Sequence, residues 1–223
     1  MKKPLKNKKS FLAFFFLFSL ISFAKADVSP YYINSLKRYG AGFSEVKSPL
    51  VMRQEPKSDA KILETLNFDY KNQAFCQINK NRCEIDDVFA GYSTGKKLAF
   101  LTTIDTSDNW NLVCFNQVQS PVCGWVENEK NKFYTTGEFF EHFGKKYGVY
   151  LFKDLKKADK ILYSAPFKET NSTGSLEMPK FISPWLIRGN WILVKAQEYN
   201  NQFKTGYLNF RGSDGKLKIF VNL

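Results

Sequence analysis

Residues 108–113, DNWNLV, and residues 189–194, GNWILV, carry the pattern that decides the fold of this 223-residue chain. In both stretches a turn-forming pair precedes a tryptophan, which opens a short run of β-forming residues. A polar loop follows, and then Gly124 or Gly206 opens the next strand with an aromatic neighbour. The spacing predicts a tight hairpin in each half of the chain, in which the glycine permits a close approach or a bulge.

Short runs of β-forming residues, bounded by turn residues, recur along the rest of the chain. They occupy residues 97–104, 122–126, 181–187 and 217–221. Aromatic residues make up 17% of the chain and are mostly phenylalanine, a composition that suits small β cores. We therefore expect a mostly β protein built from small antiparallel barrels or sandwiches.

One helix is predicted between the two halves, over residues 136–147. Thr136 is a candidate N-cap, and Gly144 and Gly148 are candidate stop signals. The residues that fall on one face of such a helix are Phe139, Phe140 and Phe143. No flexible linker flanks this segment, so we expect it to connect two halves that pack together.

The N-terminus has the pattern of a cleaved secretory signal peptide. Residues 1–9 carry five lysines and no acid, and residues 11–24 are apolar apart from serines. Ala24-Lys25-Ala26 then supplies small residues at the two positions that specify cleavage. The apolar run of 14 residues is shorter than the roughly 20 that a transmembrane helix needs. We expect removal of residues 1–26, export to the periplasm or beyond it, and no transmembrane segment in the mature chain.

Removal of this peptide halves the net charge. The whole chain carries +12, and six lysines leave with residues 1–26, so about +6 remains. Basic and acidic residues alternate through much of the remainder, as at Lys57-Ser58-Asp59. This pattern is typical of a solvated surface of mixed sign, and it does not indicate nucleic acid as a partner. Weak attraction to an anionic cell envelope is the alternative.

Four cysteines follow the signal sequence, an even number that indicates disulfides in an exported chain. Cys76 and Cys83 enclose one turn-forming stretch, and Cys114 and Cys123 enclose another. Three pairings are possible, and we favour the two local ones, each of which closes a hairpin. Zinc is the alternative, but its usual knuckles place two to four residues between cysteines. Here six and eight residues intervene, so no metal site is expected.

An ordered set of short motifs runs through the first half of the chain. Residues 46–56, VKSPLVMRQEP, read as a strand that enters an Arg-x-x-Pro loop, and residues 61–66 read as the next strand. The hairpin that begins at Trp110 and the Gly124-Trp125-Val126 strand close the set. In this order the motifs resemble those of the bacterial SH3 (SH3b) family, over roughly residues 42–135.

The chain departs from that family pattern in two ways. Residues 67–95 form an insertion, and its notable residues are Cys76, Cys83, Glu84, Asp86 and Asp87. The second half, residues 148–223, is a more distant match that lacks the Arg-x-x-Pro motif. The resemblance therefore implies two SH3-like antiparallel barrels, at residues 42–135 and 148–223, joined by a helical connector at residues 136–147.

The resemblance implies recognition without catalysis, because SH3b modules are commonly cell-wall or peptide-binding units. The candidate ligand-binding residues are Arg53, Glu55, Trp110, Trp125 and Tyr134. Core packing is the simplest alternative role for the two tryptophans. The expected partner is a cell-wall peptide or glycan, or an exported protein. A second interpretation is a scaffold or inhibitor of an envelope enzyme that makes contact through the insertion at residues 67–95.

The sequence predicts no catalytic residue and no cofactor. His142, the single histidine, lies on the predicted helix, and the cysteines are expected in disulfides, so a Cys–His pair has no support. The motifs H-E-x-x-H and G-x-S-x-G are absent from the sequence. Glu138 and Glu141 fit a solvated helix surface. An unrecognised cell-wall hydrolase is the least favoured interpretation.

Overall fold

The protein is mostly β in a computed structural model that describes residues 40–69, 74–77, 82–84, 89–93, 95–96, 98–115, 122–128, 132–213 and 215–223. The strands in chain order are β1 (Gly42–Val46), β2 (Leu50–Arg53), β3 (Ile62–Asp69), β4 (Ala74–Gln77), β5 (Arg82–Glu84), β6 (Phe89–Ser93), β7 (Leu98–Ser107), β8 (Trp110–Phe115), β9 (Val122–Glu127), β10 (Phe133–Thr135), β11 (Tyr150–Leu151), β12 (Ile161–Tyr163), β13 (Ser172–Ser175), β14 (Pro179–Arg188), β15 (Trp191–Glu198), β16 (Phe203–Asn209) and β17 (Ile219–Asn222). The helical elements are α1 (Thr136–Phe139), a π-helical turn (Phe140–Gly144), α2 (Lys145–Tyr147) and a 3-10 turn (Lys157–Lys160).

The described strands form two sheets. The larger has the order β11-β17-β6-β7-β8-β9-β2-β3-β4-β5, and β1 joins it by pairing with both β7 and β10. The smaller has the order β13-β12-β16-β15-β14. The C-terminal strand β17 leaves the second half of the chain and pairs in parallel with β6 of the first half. The two halves are thus joined by a strand pair as well as by the chain itself.

The internal repeat predicted from the sequence is present in the strand register. The order β7-β8-β9-β2-β3 in the larger sheet matches the order β14-β15-β16-β12-β13 of the smaller sheet. Val113 lies opposite Gly124, and Val194 lies opposite Gly206, each three residues after its tryptophan. The strands that enter the two hairpins, β7 and β14, also each carry a register shift shortly before the turn. The same antiparallel arrangement therefore occurs twice.

The loops that follow β2 and β12 share a conformation. Gln54 N–H donates to the Lys61 carbonyl at 2.9 Å, and Ser164 N–H donates to the Asn171 carbonyl at 3.0 Å. Two further backbone hydrogen bonds within each loop also recur at equivalent positions. A proline, Pro56 or Pro166, lies three residues after the last residue of β2 or β12. The second half therefore has the loop expected of Arg-x-x-Pro, with a tyrosine where the first half has Arg53.

The predicted helix is present over residues 136–147, with two corrections at its ends. Thr135 is the N-cap in place of Thr136, because Glu138 at position N3 completes a capping box with Thr135. Gly148 ends the helix with a φ of 78°. Gly144 does not end it: a Cβ there would lie 2.9 Å from Pro184 Cγ, so this glycine lets the helix pack closely on β14.

The apolar interior is continuous between the two halves. One buried cluster joins Phe43 and Phe100 of the first half to Phe140, Leu162 and Phe210. Within it, the Phe140 ring lies 6.0 Å from the Phe43 ring and 5.4 Å from the Phe210 ring. A second cluster, around Met52 and Val113, fills the first half alone. The helix therefore contributes its aromatic face to a shared core, as its sequence indicates.

The predicted insertion, residues 67–95, contains strands that belong to the larger sheet. β6 is buried throughout and lies between β7 and β17. β4 and β5 form a hairpin at the sheet edge. Asp86 and Asp87 lie outside the described residues, as does the side chain of Glu84. No described helix has the length and hydropathy of a membrane span.

One of the two predicted disulfides is confirmed. Cys114 and Cys123 are bonded and lie directly opposite each other on β8 and β9. On β4 and β5, Cys76 is opposite Cys83 in the register, while the side chains of this pair lie outside the described residues. Pairing of Cys76 with Cys83 therefore stays a prediction, and the backbone register is the one it requires.

Candidate ligand-binding surface

Three of the five candidate ligand-binding residues share one face of the larger sheet. Trp125 lies opposite Arg53 on one side and opposite Leu112 on the other. Trp110 lies opposite Glu127, two residues along β9 from Trp125. Because opposed residues and residues two apart in a strand point to the same side, Arg53, Trp110 and Trp125 form one row. The fold thus unites residues that are up to 72 positions apart.

This row lies on the outer side of the sheet. The intervening residues Met52 and Val113 have no exposed surface and belong to the apolar core. Trp110 is 9% exposed, whereas Arg53 and Trp125 are half-buried. Trp110 is therefore a mostly buried member of the row that packs under its neighbours, whereas Trp125 exposes part of its ring to a ligand.

Arg53 and Glu55 both belong to the turn of the Arg-x-x-Pro loop. The Arg53 guanidinium donates from Nη1 to the Ala60 carbonyl at 2.8 Å, which ties the two ends of the loop together. Glu55 is exposed and forms an ion pair with Lys57 at 3.1 Å. Surface ion pairs of this kind contribute little stability, so the charged groups of Glu55 and Lys57 are available to a ligand.

Tyr134 lies apart from the other candidates. It is on β10, where it pairs with Phe43 of β1, and its ring packs against Phe100 and Phe143 at centroid distances of 5.9 and 5.2 Å. The His142 ring stacks on it at 6.2 Å. Tyr134 therefore contributes to the aromatic core beneath the helix.

The second half carries an equivalent row that the sequence did not indicate. Tyr163 lies opposite Tyr207, as Arg53 lies opposite Trp125, and Trp191 occupies the position of Trp110. The Tyr163 and Trp191 rings meet edge to face, with centroids 5.4 Å apart. All three side chains are half-buried, while Leu162 and Val194 on the other side of the sheet are fully buried. Pro166, three residues after Tyr163, is the sequence signal that identifies this row.

A groove of about 420 Å³ lies between β1, the start of β2 and the end of β9, and its lining contains no residue of the first row. It is lined on one side by Glu45 and Pro49 and on the other by Val126 and Glu127. Lys132 spans part of it through an ion pair with Glu45 at 2.7 Å. Its polar and apolar lining suits a peptide or sugar with mixed chemistry.

Three of the polar groups considered for catalysis, those of Cys114, Glu138 and Glu141, have structural partners. The Cys114 thiol is consumed in the disulfide, and Glu141 pairs with Lys145 at 2.6 Å. Glu138 accepts hydrogen bonds from the backbone and side chain of Thr135, which lower the pKa of its carboxyl below the usual 4.5. No cluster of metal-ligating side chains occurs within the described part of the chain.

The two rows can hold a ligand by aromatic stacking, apolar contact and hydrogen bonds, without covalent chemistry. Large aromatic side chains with few rotatable bonds lose little entropy when they are fixed in a complex.

In comparisons with known proteins, no family model, no curated protein and no solved structure matches the chain.

Proposed function

We propose that this protein is an exported, non-catalytic recognition module of two SH3-like units, and that it binds a cell-wall peptide or glycan, or an envelope protein. The ligand-binding surfaces are the outer rows Arg53–Trp110–Trp125 and Tyr163–Trp191–Tyr207. Export is supported by the N-terminal pattern of the sequence together with the Cys114–Cys123 disulfide, since disulfides persist mainly in oxidising compartments.

The recurrence of the row carries this proposal. In both halves the same register places aromatic residues on the outer side of the sheet, with the apolar core on the inner side. Packing alone requires only the inner side to be apolar. Half-buried aromatic rings at equivalent positions on two units, Trp125 and Tyr207, favour two related contact surfaces on one ligand or on a repeating polymer.

Binding to purified cell-wall sacculi tests the proposal. We expect the exported protein to sediment with sacculi in a saturable manner, and the Trp125→Ala and Tyr207→Ala variants to bind at least about ten-fold more weakly. Tyr150→Ala is the matched control, because Tyr150 is 39% exposed, lies on β11 and belongs to neither row. Thermal unfolding of each variant shows whether its fold is intact.

Three results decide between the alternatives. Retention on sacculi that depends on Trp125 or Tyr207 supports cell-wall recognition. A stable protein partner, recovered by the wild type and lost with the same variants, supports recognition of an envelope protein. Release of soluble fragments from the sacculi by the wild type would show catalysis and overturn the proposal.

A further inference from the structure

The charge of the chain is concentrated in its second half. Residues 27–135 contain 13 basic and 13 acidic residues, whereas residues 136–223 contain 14 basic and 8 acidic residues. The net charge of +6 that remains after loss of the signal sequence therefore belongs entirely to residues 136–223. The second half of the chain is cationic, and residues 27–135 carry no net charge.

Exposed apolar side chains are concentrated in the same half. Ile62 is the single large exposed apolar residue among those described before the helix, and eight follow it. Five of the eight are at least half exposed, and one of them, Trp185 (53%), lies within β14. The other four lie at turns, loops or strand starts, and we call them the apolar end: Phe167 (50%), Met178 (65%), Tyr199 (67%) and Phe203 (62%).

The strand register brings these four residues to the same end of the smaller sheet. Tyr199 N–H donates to the Met178 carbonyl at 3.3 Å, where β14 begins opposite the end of β15. Phe203 opens β16 on the other side of the 199–202 turn. The 164–171 loop, which carries Phe167, extends toward the same end, since Thr173 Oγ1 donates to the Thr205 carbonyl at 3.1 Å.

Basic side chains accompany the apolar end. The Lys195 ammonium lies 5.0 Å from the Phe203 ring centroid. Lys168 and Lys180 are exposed beside Phe167 and Met178. The acidic residues at this end are Glu169, Glu177 and Glu198. Glu198 is buried and paired with Lys204 at 3.4 Å, so Glu169 and Glu177 are the exposed acids at this end.

We propose that the apolar end docks on an anionic phospholipid bilayer, with Phe167, Met178, Tyr199 and Phe203 entering the headgroup region. Apolar and aromatic side chains with adjacent lysines suit this interface, because the rings enter the boundary layer while the ammonium groups meet lipid phosphates. Basic residues near an anionic surface add electrostatic attraction to it. A second copy of the chain is a poor partner for this surface. Contact between two apolar ends would bring two cationic halves together, and their like charges would repel.

This docking goes beyond the proposed recognition function, because it uses the loops and turns at one end of the smaller sheet and not the outer rows. It would hold the protein on the membrane while the outer rows contact another envelope component. Neither activity requires the other, so the two can be tested separately.

Sedimentation with vesicles tests the docking. The exported protein is mixed with vesicles of phosphatidylglycerol and phosphatidylcholine, and with vesicles of phosphatidylcholine alone. We expect partition into the anionic vesicles that weakens as salt is raised. The informative variant is Phe167→Lys with Tyr199→Ser. Lys57 occupies the position of Phe167 in the equivalent loop, with the same backbone bonds, so the loop accepts lysine.

The double variant separates apolar docking from simple charge attraction. It adds one positive charge, so attraction by charge alone would strengthen its partition. We expect it to bind anionic vesicles about ten-fold more weakly than the wild type, and an Ile62→Ser control to bind as the wild type does. Equal partition of wild type and double variant, or no preference for anionic vesicles, would overturn the proposal. Loss of sacculus binding by the double variant, without vesicle partition by the wild type, would assign the apolar end to wall recognition instead.

Discussion

Gly124 runs so close to Met52 that a Cβ on the glycine would lie 2.8 Å from the Met52 Cβ. Gly206 has the same relation to Leu162, at 2.9 Å. Met52 and Leu162 hold equivalent positions on β2 and β12, one residue before the row residues Arg53 and Tyr163. The two halves therefore share their packing as well as their register, and this contact explains why each hairpin needs a glycine before its aromatic residue.

The first prediction concerns these two glycines. Gly124→Ala and Gly206→Ala should each lower the free energy of unfolding by about 1–3 kcal/mol, because the added methyl group overlaps a fixed Cβ. Gly137→Ala is the control, since a Cβ there meets nothing within 4 Å. Urea unfolding measures all three. Equal stability of the Gly124 and Gly137 variants would contradict the close approach.

The second prediction concerns the cysteines. Thiol titration of the unfolded, unreduced protein without residues 1–26 should find no free thiol. Replacing Cys114 and Cys123 together by serine should lower stability by about 2–3 kcal/mol, and titration of that variant should still find none. Two free thiols in the variant would show that Cys76 and Cys83 are unpaired.

The third prediction concerns the helix N-cap. Thr135→Ala should lower stability by about 1 kcal/mol, because the Glu138 N–H loses its acceptor. The folded state lowers the pKa of Glu138, so this carboxylate stabilises the fold above pH 4.5 and ceases to do so as pH falls through its lower folded value. Glu138→Gln should flatten that part of the stability profile in acid. Parallel profiles for the variant and the wild type would contradict the capping box.

The fourth prediction concerns Arg211, which is 1% exposed. Its guanidinium carbon lies 5.3 Å from the centroid of the Phe43 ring and 5.8 Å from that of the Phe210 ring. Within the described part of the chain its side-chain nitrogens have no hydrogen-bond partner, and burial lowers its pKa to about 10, so it stays charged at pH 7. Arg211→Met should leave stability unchanged or raise it, because it removes a buried unpaired charge and keeps the volume. Arg211→Ala should lower stability by about 2–4 kcal/mol by leaving a cavity. An equal loss in both variants would show that the charge itself stabilises the fold.

Local features of the fold were predictable from the sequence. The turn before Trp110, the hairpin that follows it and the aromatic face of the helix depend on neighbouring residues, and each is where its pattern indicates. The N-cap differs by one residue from the predicted Thr136, because the Thr135-x-x-Glu138 spacing forms the capping box. These features need no information from distant parts of the chain.

Long-range features were not predictable in the same way. The parallel pairing of β17 with β6 joins Val221 to Gly91, and no local pattern in either strand specifies a partner 130 residues away. The Arg-x-x-Pro motif does not predict the outer row of the second half, because tyrosine occupies the arginine position at Tyr163. Residue type alone also does not indicate that Met178, Tyr199 and Phe203 are exposed, since apolar side chains are more often buried.

Binding of single and double row variants to sacculi tests the central claim most directly. If two equivalent rows engage one polymer, Trp125→Ala and Tyr207→Ala should each weaken binding, and the combined variant should abolish saturable binding, because the second contact of a bivalent complex is effectively intramolecular. The dissociation constants of the four proteins, measured by sedimentation at fixed salt, give the answer. Unchanged binding by the folded double variant would contradict recognition through the outer rows.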